Sequence, residues 1–340
     1  MIKSLGDDSK ISQLREVIAK NDHFVITCHI APDGDAVGSS LALCNLLLLL
    51  GKNVSVITPD IIPDNLSFLS GAKDIVVFSW YEDFAKELIS NASVIFSMDY
   101  NALSRVDRVG EYIRDASAVK VMIDHHINPE PFADIIISHH EISSTCALLF
   151  KVFSELQLLQ IVDKSVGECI FTGMMTDTGN FAYNSNDPDL YYIVAKLVEI
   201  GVDKDYLYAR VINAATESKI RITSYALDRK LRLYHEQHAA LITLTREELN
   251  ERHYKKGDTE SLVNIPLKID DIHMSFFLRE EADYIKVSSR SKGDIPVNII
   301  CEKYFNGGGH KNAAGGEFKG SMEECVKRFE DFIFNNDVIK

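Results

Sequence analysis

The sequence contains no hydrophobic run long enough to cross a membrane. Its longest apolar stretch, residues 41–50, is interrupted by Asn45 and reaches about half of the roughly 20 residues that a spanning helix requires. The first eight residues also lack an apolar segment and include Asp7 and Asp8, which argues against a secretory signal or a transit peptide. We therefore expect a cytoplasmic protein that has no membrane partner.

Paired cysteines and an excess of positive charge are also missing. The six cysteines are scattered without paired spacing, which predicts buried thiols in a reducing compartment. The chain has 50 Asp and Glu residues against 36 Lys and Arg residues, a net charge of -14. Because proteins that coat long nucleic acids need a basic surface, this balance favours a short anionic substrate. An acidic surface that serves only solubility would give the same net charge.

The length of the chain favours two domains, since 340 residues exceed one comfortable hydrophobic core. Strand and helix patterns alternate from residue 20 to about residue 185, which predicts an α/β fold with a doubly wound parallel sheet. A mainly helical pattern follows, and then a smaller region of mixed strands and helices. We expect a first domain at 1–190, a helical connector at 191–233 and a mixed α/β domain at 234–340.

The segment 29–39 is the most informative stretch of the chain. It follows a short apolar strand pattern and precedes a long apolar helix pattern, and between them it carries His29, Asp33 and Asp35. Pro32 and Gly34 break both patterns, so these side chains lie on a loop at the carboxyl end of a strand. Carboxylates with a single imidazole suit manganese or magnesium better than zinc. An Asp-rich turn with a helix cap is the alternative explanation.

Acids and imidazoles recur where other apolar segments end. Asp99 follows the apolar run 93–98, Asp124-His125-His126 follows the run 119–123, and Asp177 follows the stretch 169–175. A pair of divalent ions needs about six or seven protein ligands, at least one of which bridges the ions. The candidate ligands are His29, Asp33, Asp35, Asp99, His125 and Asp177. The implied reaction class is hydrolysis of a phosphoester or a phosphoanhydride.

These motifs resemble those of the DHH phosphoesterase family, whose name-giving triad stands here as Asp124-His125-His126. The glycine-rich run at 307–315 resembles the signature of the DHH-associated C-terminal domain. The resemblance extends from about residue 20 to the end of the chain. A chain with only these two domains is most similar to the oligoribonuclease-type members, which also remove a phosphate from 3'-phosphoadenosine 5'-phosphate.

The resemblance implies two divalent metal ions, with manganese expected and magnesium as the alternative. His29 and Asp33 would bind the first ion, and Asp99 would bridge both ions. The second ion would be bound by Asp35, His125 and Asp177. A small departure is Thr176, which stands before the last of these ligands where many members carry glycine.

The resemblance also implies catalytic and substrate-binding residues. His126, grouped with Asp124, would contact the scissile phosphate and help to protonate the leaving oxygen. Arg105 is a further candidate for phosphate binding, although a solvated arginine near a helix start is ordinary. In the second domain the glycine run would bring backbone amides close to a phosphate or sugar, unless it is only a structural turn. The candidate substrate residues there are Arg290, Gly308, Gly309 and His310.

The predicted function is hydrolysis of short oligoribonucleotides to mononucleotides and of 3'-phosphoadenosine 5'-phosphate to AMP. One alternative is a soluble hydrolase of pyrophosphate, short polyphosphate or linear dinucleotides derived from cyclic ones. A second alternative is a nucleotide-binding module without turnover, which is expected to lack a metal ligand. A homodimer is possible on the sequence alone.

Overall fold

The computed structural model describes residues 2–335. It comprises two compact units, which divide between Ala214 and Ala215. This division falls within the segment 191–233 that the sequence predicts as a connector. Each unit has its own hydrophobic core and its own six-stranded sheet.

The first unit is built around a parallel sheet. Its strands are β1 (His23–Cys28), β2 (Asn53–Thr58), β3 (Val76–Val77), β4 (Val94–Met98), β5 (Val119–Asp124) and β6 (Ile135–Ser138). Its α-helices are α1 (Asp8–Lys20), α2 (Gly34–Leu49), α3 (Glu82–Asn91), α4 (Val109–Asp115), α5 (Thr145–Glu155), α6 (Lys164–Asp177), α7 (Pro188–Glu199) and α8 (Lys204–Val211).

The strand order of this sheet is β3-β2-β1-β4-β5-β6, and every neighbouring pair is parallel. The strand order changes direction between β1 and β4, because β2 and β3 lie on one side of this pair and β5 and β6 lie on the other. The carboxyl ends of β1 and β4 therefore form the switch point, where ligands of open α/β sheets bind. The predicted doubly wound parallel sheet is confirmed.

Both faces of the sheet are covered, as parallel sheets require. Along β1, Phe24 and Ile26 pack into the core on one face, whereas Val25 packs into the core on the other face. Helix α2 is apolar on all sides, and its residues 34–47 are all buried. Its sequence therefore accounts for a helix enclosed between the sheet and other helices.

Helix α2 packs closely against α6 because glycines face the contact. A Cβ added at Gly173 would lie 2.2 Å from Cys146 Sγ and 2.7 Å from Asp35 Oδ1, and one added at Gly38 would lie 2.6 Å from the Cys169 carbonyl oxygen. The lack of side chains at these glycines brings the start of α2 and the end of α6 together.

The second unit contains a mixed sheet with the order β11-β12-β10-β9-β8-β7, in which only β8 and β9 pair in parallel. Its strands are β7 (Leu231–Tyr234), β8 (Ala239–Leu244), β9 (Met274–Glu280), β10 (Ile285–Ser291), β11 (Gly308–His310) and β12 (Ala313–Phe318). Its α-helices are α9 (Glu217–Tyr225), α10 (Arg246–Glu251), α11 (Val297–Tyr304) and α12 (Met322–Asn335). The predicted mixed α/β architecture is confirmed.

Several local predictions can be compared with the structure. A capping box formed by Thr245 and Glu248 begins α10. The helical prediction for the end of the connector is wrong, because β7 begins at Leu231 and pairs with β8. All six cysteines are buried free thiols. Within residues 2–335, no helix combines the length and the apolar character needed to cross a bilayer.

Candidate metal centre

The carboxyl edge of the parallel sheet collects the predicted ligands. Cys28, Met98 and Ile123 lie side by side in β1, β4 and β5. The residues that follow them are therefore neighbours too, and these are His29, Asp99 and Asp124. Register thus brings together three side chains that lie far apart in the sequence.

His29 is buried and held in one orientation. Its Nδ1 lies 2.8 Å from the Ile30 carbonyl oxygen, which can only accept, so Nδ1–H is the donor. In the neutral ring the opposite nitrogen, Nε2, carries the lone pair, and it faces Asp99 Oδ2 at 3.5 Å and Asp33 Oδ1 at 3.8 Å. A backbone carbonyl that fixes the ring in this way is typical of metal-binding histidines.

The start of α2 places two carboxylates. Asp33 is the N-cap and accepts hydrogen bonds from the amides of Asp35 and Ala36. Asp35 is fully buried, and its two oxygens accept hydrogen bonds from the amides of Thr145 and Cys146 at 2.6 and 2.9 Å. Those amides belong to the first turn of α5, so a helix N-terminus holds the Asp35 carboxylate in place.

Asp99 lies between the two histidines that follow β1 and β5. Its backbone has a positive φ of 61°, a conformation that Asp tolerates better than most residues. Its Oδ2 faces His29 Nε2 at 3.5 Å, and its Oδ1 faces His125 Nε2 at 3.6 Å. The Thr145 hydroxyl donates a hydrogen bond of 2.8 Å to the same Oδ1. The two oxygens of one carboxylate thus face two separate imidazoles.

His125 and Asp177 complete the second half of the cluster. The Nδ1–H of His125 donates to the Ile142 carbonyl, and its Nε2 lies 3.5 Å from Asp177 Oδ2 and 3.9 Å from Asp35 Oδ2. Asp177 is the last residue of α6, which delivers it to the edge where α2 begins. The close packing of α2 on α6 therefore determines where Asp177 lies relative to Asp35.

The potential ligands form overlapping groups whose donor atoms lie within 4.8 Å of one another. These groups are His29 with Asp33 and Asp99, Asp35 with His125 and Asp177, and Asp99 with His125 and His126. The first two groups each offer one imidazole and two carboxylates, a donor set that suits manganese or magnesium.

Electrostatics within the cluster favour a bound cation. Burial and the neighbouring acids Asp99 and Asp177 raise the pKa of Asp35 well above its usual range. Burial also raises the pKa of Asp177, to about 7, although His125 opposes this effect. Carboxylates that repel one another in a buried site are the arrangement that a divalent ion relieves. The donor set and its charge therefore fit the predicted metals.

His126 is positioned by Asp124 at the same edge. The buried Asp124 carboxylate accepts hydrogen bonds from His126 Nδ1–H at 2.7 Å and from the His126 amide at 3.0 Å. This pairing orients the imidazole, and Asp124 belongs to none of the three ligand groups. Arg105 also lies at this edge, since its carbonyl accepts a hydrogen bond from the Ile30 amide.

The predicted substrate residues of the second unit share one face of its sheet. His310, Ala313, Arg290 and Ser275 lie side by side across β11, β12, β10 and β9, so their side chains point to the same side. Within the described part of the chain, the half-buried Arg290 guanidinium makes no ion pair, and it donates a hydrogen bond to the Ser289 carbonyl. On this face the small residue Ala313 lies between Arg290 and His310.

The glycine run forms strand β11 rather than a turn. A Cβ on Gly307 would lie 1.9 Å from the Gly315 carbonyl oxygen. Gly309 has φ +139°, and a Cβ there would lie 2.7 Å from the Ala313 carbonyl oxygen. Glycine is therefore required here by close strand packing, and Gly308 lies between these two positions.

The chain matches known domains in both units. Residues 23–174 match the DHH family, N-terminal domain, and residues 239–335 match the DHHA1 domain. An exopolyphosphatase-related protein from Bacteroides fragilis, solved as a crystal structure, is 45% identical, with 96% of each chain covered and a TM-score of 0.94. The chain belongs to the DHH family. The resemblance stated from the motifs is thereby confirmed.

Two further DHH relatives carry functional names. The bifunctional oligoribonuclease and PAP phosphatase NrnA of Thermus thermophilus is 28% identical over 304 residues, which are 89% of this chain and 86% of the relative. The protein of the same name from Bacillus subtilis is 26% identical over 311 residues, covering 89% and 92%. This DHH protein is therefore similar to phosphoesterases over most of its length.

Sequence reasoning missed part of the support of this DHH centre. The hydroxyl of Thr145 binds Asp99, and its amide binds Asp35. The cap of α5 is Ser144. The role of Thr145 depends on contacts with residues 46 and 110 positions away, so no local pattern could have revealed it.

Proposed function

We propose that this DHH protein is a metal-dependent phosphoesterase that hydrolyses short oligoribonucleotides and 3'-phosphoadenosine 5'-phosphate. The observation that carries the proposal is the placement of Asp99, whose two oxygens face His29 and His125. A carboxylate between two ligand groups is what a dinuclear centre needs as its bridge. The two relatives named as oligoribonucleases and PAP phosphatases support this substrate class.

Each of two divalent ions has a ligand group in this proposal. His29, Asp33 and Asp99 would hold one ion. Asp35, His125 and Asp177 would hold the other, with Asp99 as the candidate bridge. Ions bound there supply a positive field for the phosphate and lower the pKa of a water molecule. We propose manganese, with magnesium as the alternative, because oxygen donors dominate both groups.

The catalytic role falls to His126, which Asp124 orients. A ring whose Nδ1–H is bound to a carboxylate presents its other nitrogen in a fixed direction. We propose that this nitrogen contacts the scissile phosphate and delivers a proton to the leaving oxygen. Asp124 keeps the ring in place, as in other carboxylate–histidine pairs.

The second unit is proposed to hold the part of the substrate that does not react. Arg290 offers a planar guanidinium without a carboxylate partner among residues 2–335, which suits a phosphate. His310 lies on the same face, and the backbone of Gly308 and Gly309 runs beside it. The buried free thiols support a reducing compartment such as the cytoplasm.

A substrate panel tests this proposal. Purified protein with defined manganese or magnesium is given a diribonucleotide, 3'-phosphoadenosine 5'-phosphate and pyrophosphate, and initial rates are compared. We expect the two nucleotides to be cleaved fastest. Asp99→Asn should lose activity toward both, whereas Asp115→Asn, which changes an exposed acid at the end of α4, should retain it.

The other outcomes of the panel identify the alternatives. Fastest cleavage of pyrophosphate would replace the proposal with a phosphoanhydride hydrolase. Binding of nucleotides without turnover of any substrate would indicate a nucleotide-binding module. Equal activity of wild type and Asp99→Asn would remove Asp99 from the mechanism.

A further inference from the structure

Exposed aromatic side chains follow the edge strand of the parallel sheet, past the same carboxyl edge as the candidate metal ligands, and they have no role in the proposed mechanism. Trp80 and Tyr81 are 62% and 58% exposed, and they form the turn between β3 and α3. Large aromatic residues are costly to leave in water, so adjacent exposed ones mark a surface that binds something.

Strand register fixes where this turn lies. Val76, Ile57 and Thr27 are side by side in β3, β2 and β1. His29 follows Thr27 by two residues, and Trp80 follows Val76 by four residues, so both lie past the carboxyl edge of the sheet. Two strand spacings separate β1 from β3, which is about 10 Å.

The turn after β3 stays alongside the turn after β2. The amides of Phe78 and Ser79 donate to the carbonyls of Thr58 and Pro59. An exposed apolar residue follows each of the three neighbouring strands at this edge. These residues are Ile30 after β1, Ile61 after β2 and Trp80 after β3, and together with Tyr81 we call them the apolar rim.

Charge beside the rim suits a substrate with phosphates. The Arg105 carbonyl binds the Ile30 amide, and in residues 2–335 the Arg105 side chain makes no ion pair. The nearest acid of α3, Glu82, is neutralised by Arg108 and Lys86. An acid also lies beside the rim, since Asp60 Oδ2 accepts a hydrogen bond from the Ala31 amide. A phosphate of the substrate would pair with Arg105, and a base attached to it would meet the rim.

We propose that Trp80 and Tyr81 stack against a nucleobase of the substrate while its phosphate lies at the metal centre. This inference rests on the proposed function and names a base-recognition surface for it. Aromatic side chains stack on bases of any sequence, since every base has a π-face. The surface would favour nucleotides over pyrophosphate, and it would do so without selecting one base.

The chain offers a direct probe, because Trp80 is its only tryptophan. We would titrate the protein with a poorly hydrolysed phosphorothioate diribonucleotide and with an abasic analogue of it, and record tryptophan emission. Stacking predicts that the diribonucleotide quenches the emission and that the abasic analogue does not. An equal change with both ligands would overturn the proposal.

Kinetics of matched variants provide a second readout. Trp80→Ala should raise KM for a diribonucleotide about tenfold with little change in kcat, since one stacked base is lost. Trp80→Phe should keep KM near wild type because it retains a ring. Leu48→Ala is the control, since Leu48 is also exposed but lies at the opposite, amino edge of the sheet beside His23 and Asn53. Wild-type KM in Trp80→Ala would overturn the proposal.

Failure of this inference can be told from failure of the proposed function. If the wild-type protein cleaves diribonucleotides but shows no base-dependent quenching, the proposed function stands and the stacking proposal is wrong. If it shows the quenching but cleaves no nucleotide, the stacking proposal stands and the proposed function is wrong. Emission that depends on protein concentration rather than on nucleotide would assign the rim to contact between two copies of the chain and overturn the stacking.

Discussion

At the scale of single residues, the candidate site depends on neighbouring backbone and side-chain groups that hold the candidate ligands, as well as on these ligands themselves. The carbonyls of Ile30 and Ile142 fix the rings of His29 and His125. Thr145 reaches two ligand carboxylates with its hydroxyl and its amide, and its side chain is fully buried. Such supporting contacts usually account for a large part of metal affinity.

Thr145→Val tests this support. The substitution keeps the shape of the side chain but removes the hydroxyl that binds Asp99 Oδ1, so the carboxylate is freer to rotate. We expect manganese affinity, measured by titration calorimetry, to fall about 10- to 100-fold. Thr145→Ser restores the hydroxyl and should bind close to wild type. Unchanged affinity in the valine variant would show that the contact does not support the centre.

Asp124→Asn separates catalysis from metal binding. Asparagine keeps the size of the side chain but is a weaker acceptor for His126 Nδ1–H, so the imidazole loses its orientation. We expect kcat to fall by about 10²- to 10⁴-fold while the number of bound ions is unchanged. Loss of an ion in this variant would instead place Asp124 among the ligands.

At the scale of helices and strands, the contact between α2 and α6 sets the distance between Asp35 and Asp177. Both helices approach through glycine, and the space at Gly173 is closed by Cys146 Sγ and Asp35. A methyl group there cannot be accommodated without moving one helix. The packing of these helices therefore also determines the geometry of the site.

Gly173→Ala should lower the free energy of unfolding by about 1–3 kcal/mol and weaken manganese binding, because the new methyl group displaces α6 from α2. Urea denaturation and calorimetry measure the two effects. Adding Cys146→Ala removes the closest obstructing atom, which lies 2.2 Å from the added Cβ, and should restore part of the stability. No recovery in the double variant would contradict the steric explanation.

Helices α5 and α7 are joined by a buried ion pair. Lys151 Nζ lies 2.6 Å from Asp189 Oδ2, and the side chains are only 8% and 3% exposed. Lys151→Met leaves the Asp189 carboxylate buried without its partner, so we expect a loss of about 3–5 kcal/mol in urea denaturation. A loss below about 1 kcal/mol would show that solvent reaches the pair.

The same pair gives the stability a defined pH dependence. Burial raises the pKa of Asp189, but the hydrogen bonds from Lys151 and from the Lys3 amide lower it more, and the net pKa is lowered. A lowered carboxyl pKa stabilises the fold at neutral pH, and this stabilisation is lost as the pH falls through the lowered pKa. Asp189→Asn should therefore show a weaker loss of stability in acid than wild type.

The sequence predicted elements with strong local patterns and missed those without them. The strand before His29 and the helix after Asp35 were predictable because apolar runs flank a loop with Pro32 and Gly34. Strands β11 and β12 were not predicted, because they are rich in glycine and alanine and lack an alternating pattern. Their strand conformation depends on long-range pairing, of β12 with β10 and of β11 with β12.

The candidate ligands could be named from sequence because each follows an apolar segment or lies at a helix end, and the structure brings their side chains together. The roles of Thr145 and Ile142 depend on which strands and helices are neighbours. Strand order and register determine which elements are adjacent, and no local sequence pattern predicts either of them. The apolar rim was missed for the same reason, since Trp80 follows a strand of only two residues.

At the scale of the whole molecule, the net charge of -14 disfavours the binding of long nucleic acids. Non-specific binding of RNA depends on neutralising many phosphates with basic side chains. We expect a long single-stranded RNA to compete poorly with a diribonucleotide, even at low salt. Inhibition assays at two salt concentrations would test this expectation. Strong inhibition that weakens with salt would contradict it and would indicate a local basic surface that binds long RNA despite the negative net charge.

The central claim is that Asp99 bridges two divalent ions. Anomalous diffraction from crystals grown with manganese tests it most directly, because each ion gives its own peak. The account predicts two peaks about 3.5–4 Å apart on either side of the Asp99 carboxylate, with His29 at one and His125 at the other. A single peak, or two peaks that do not share Asp99, would contradict it.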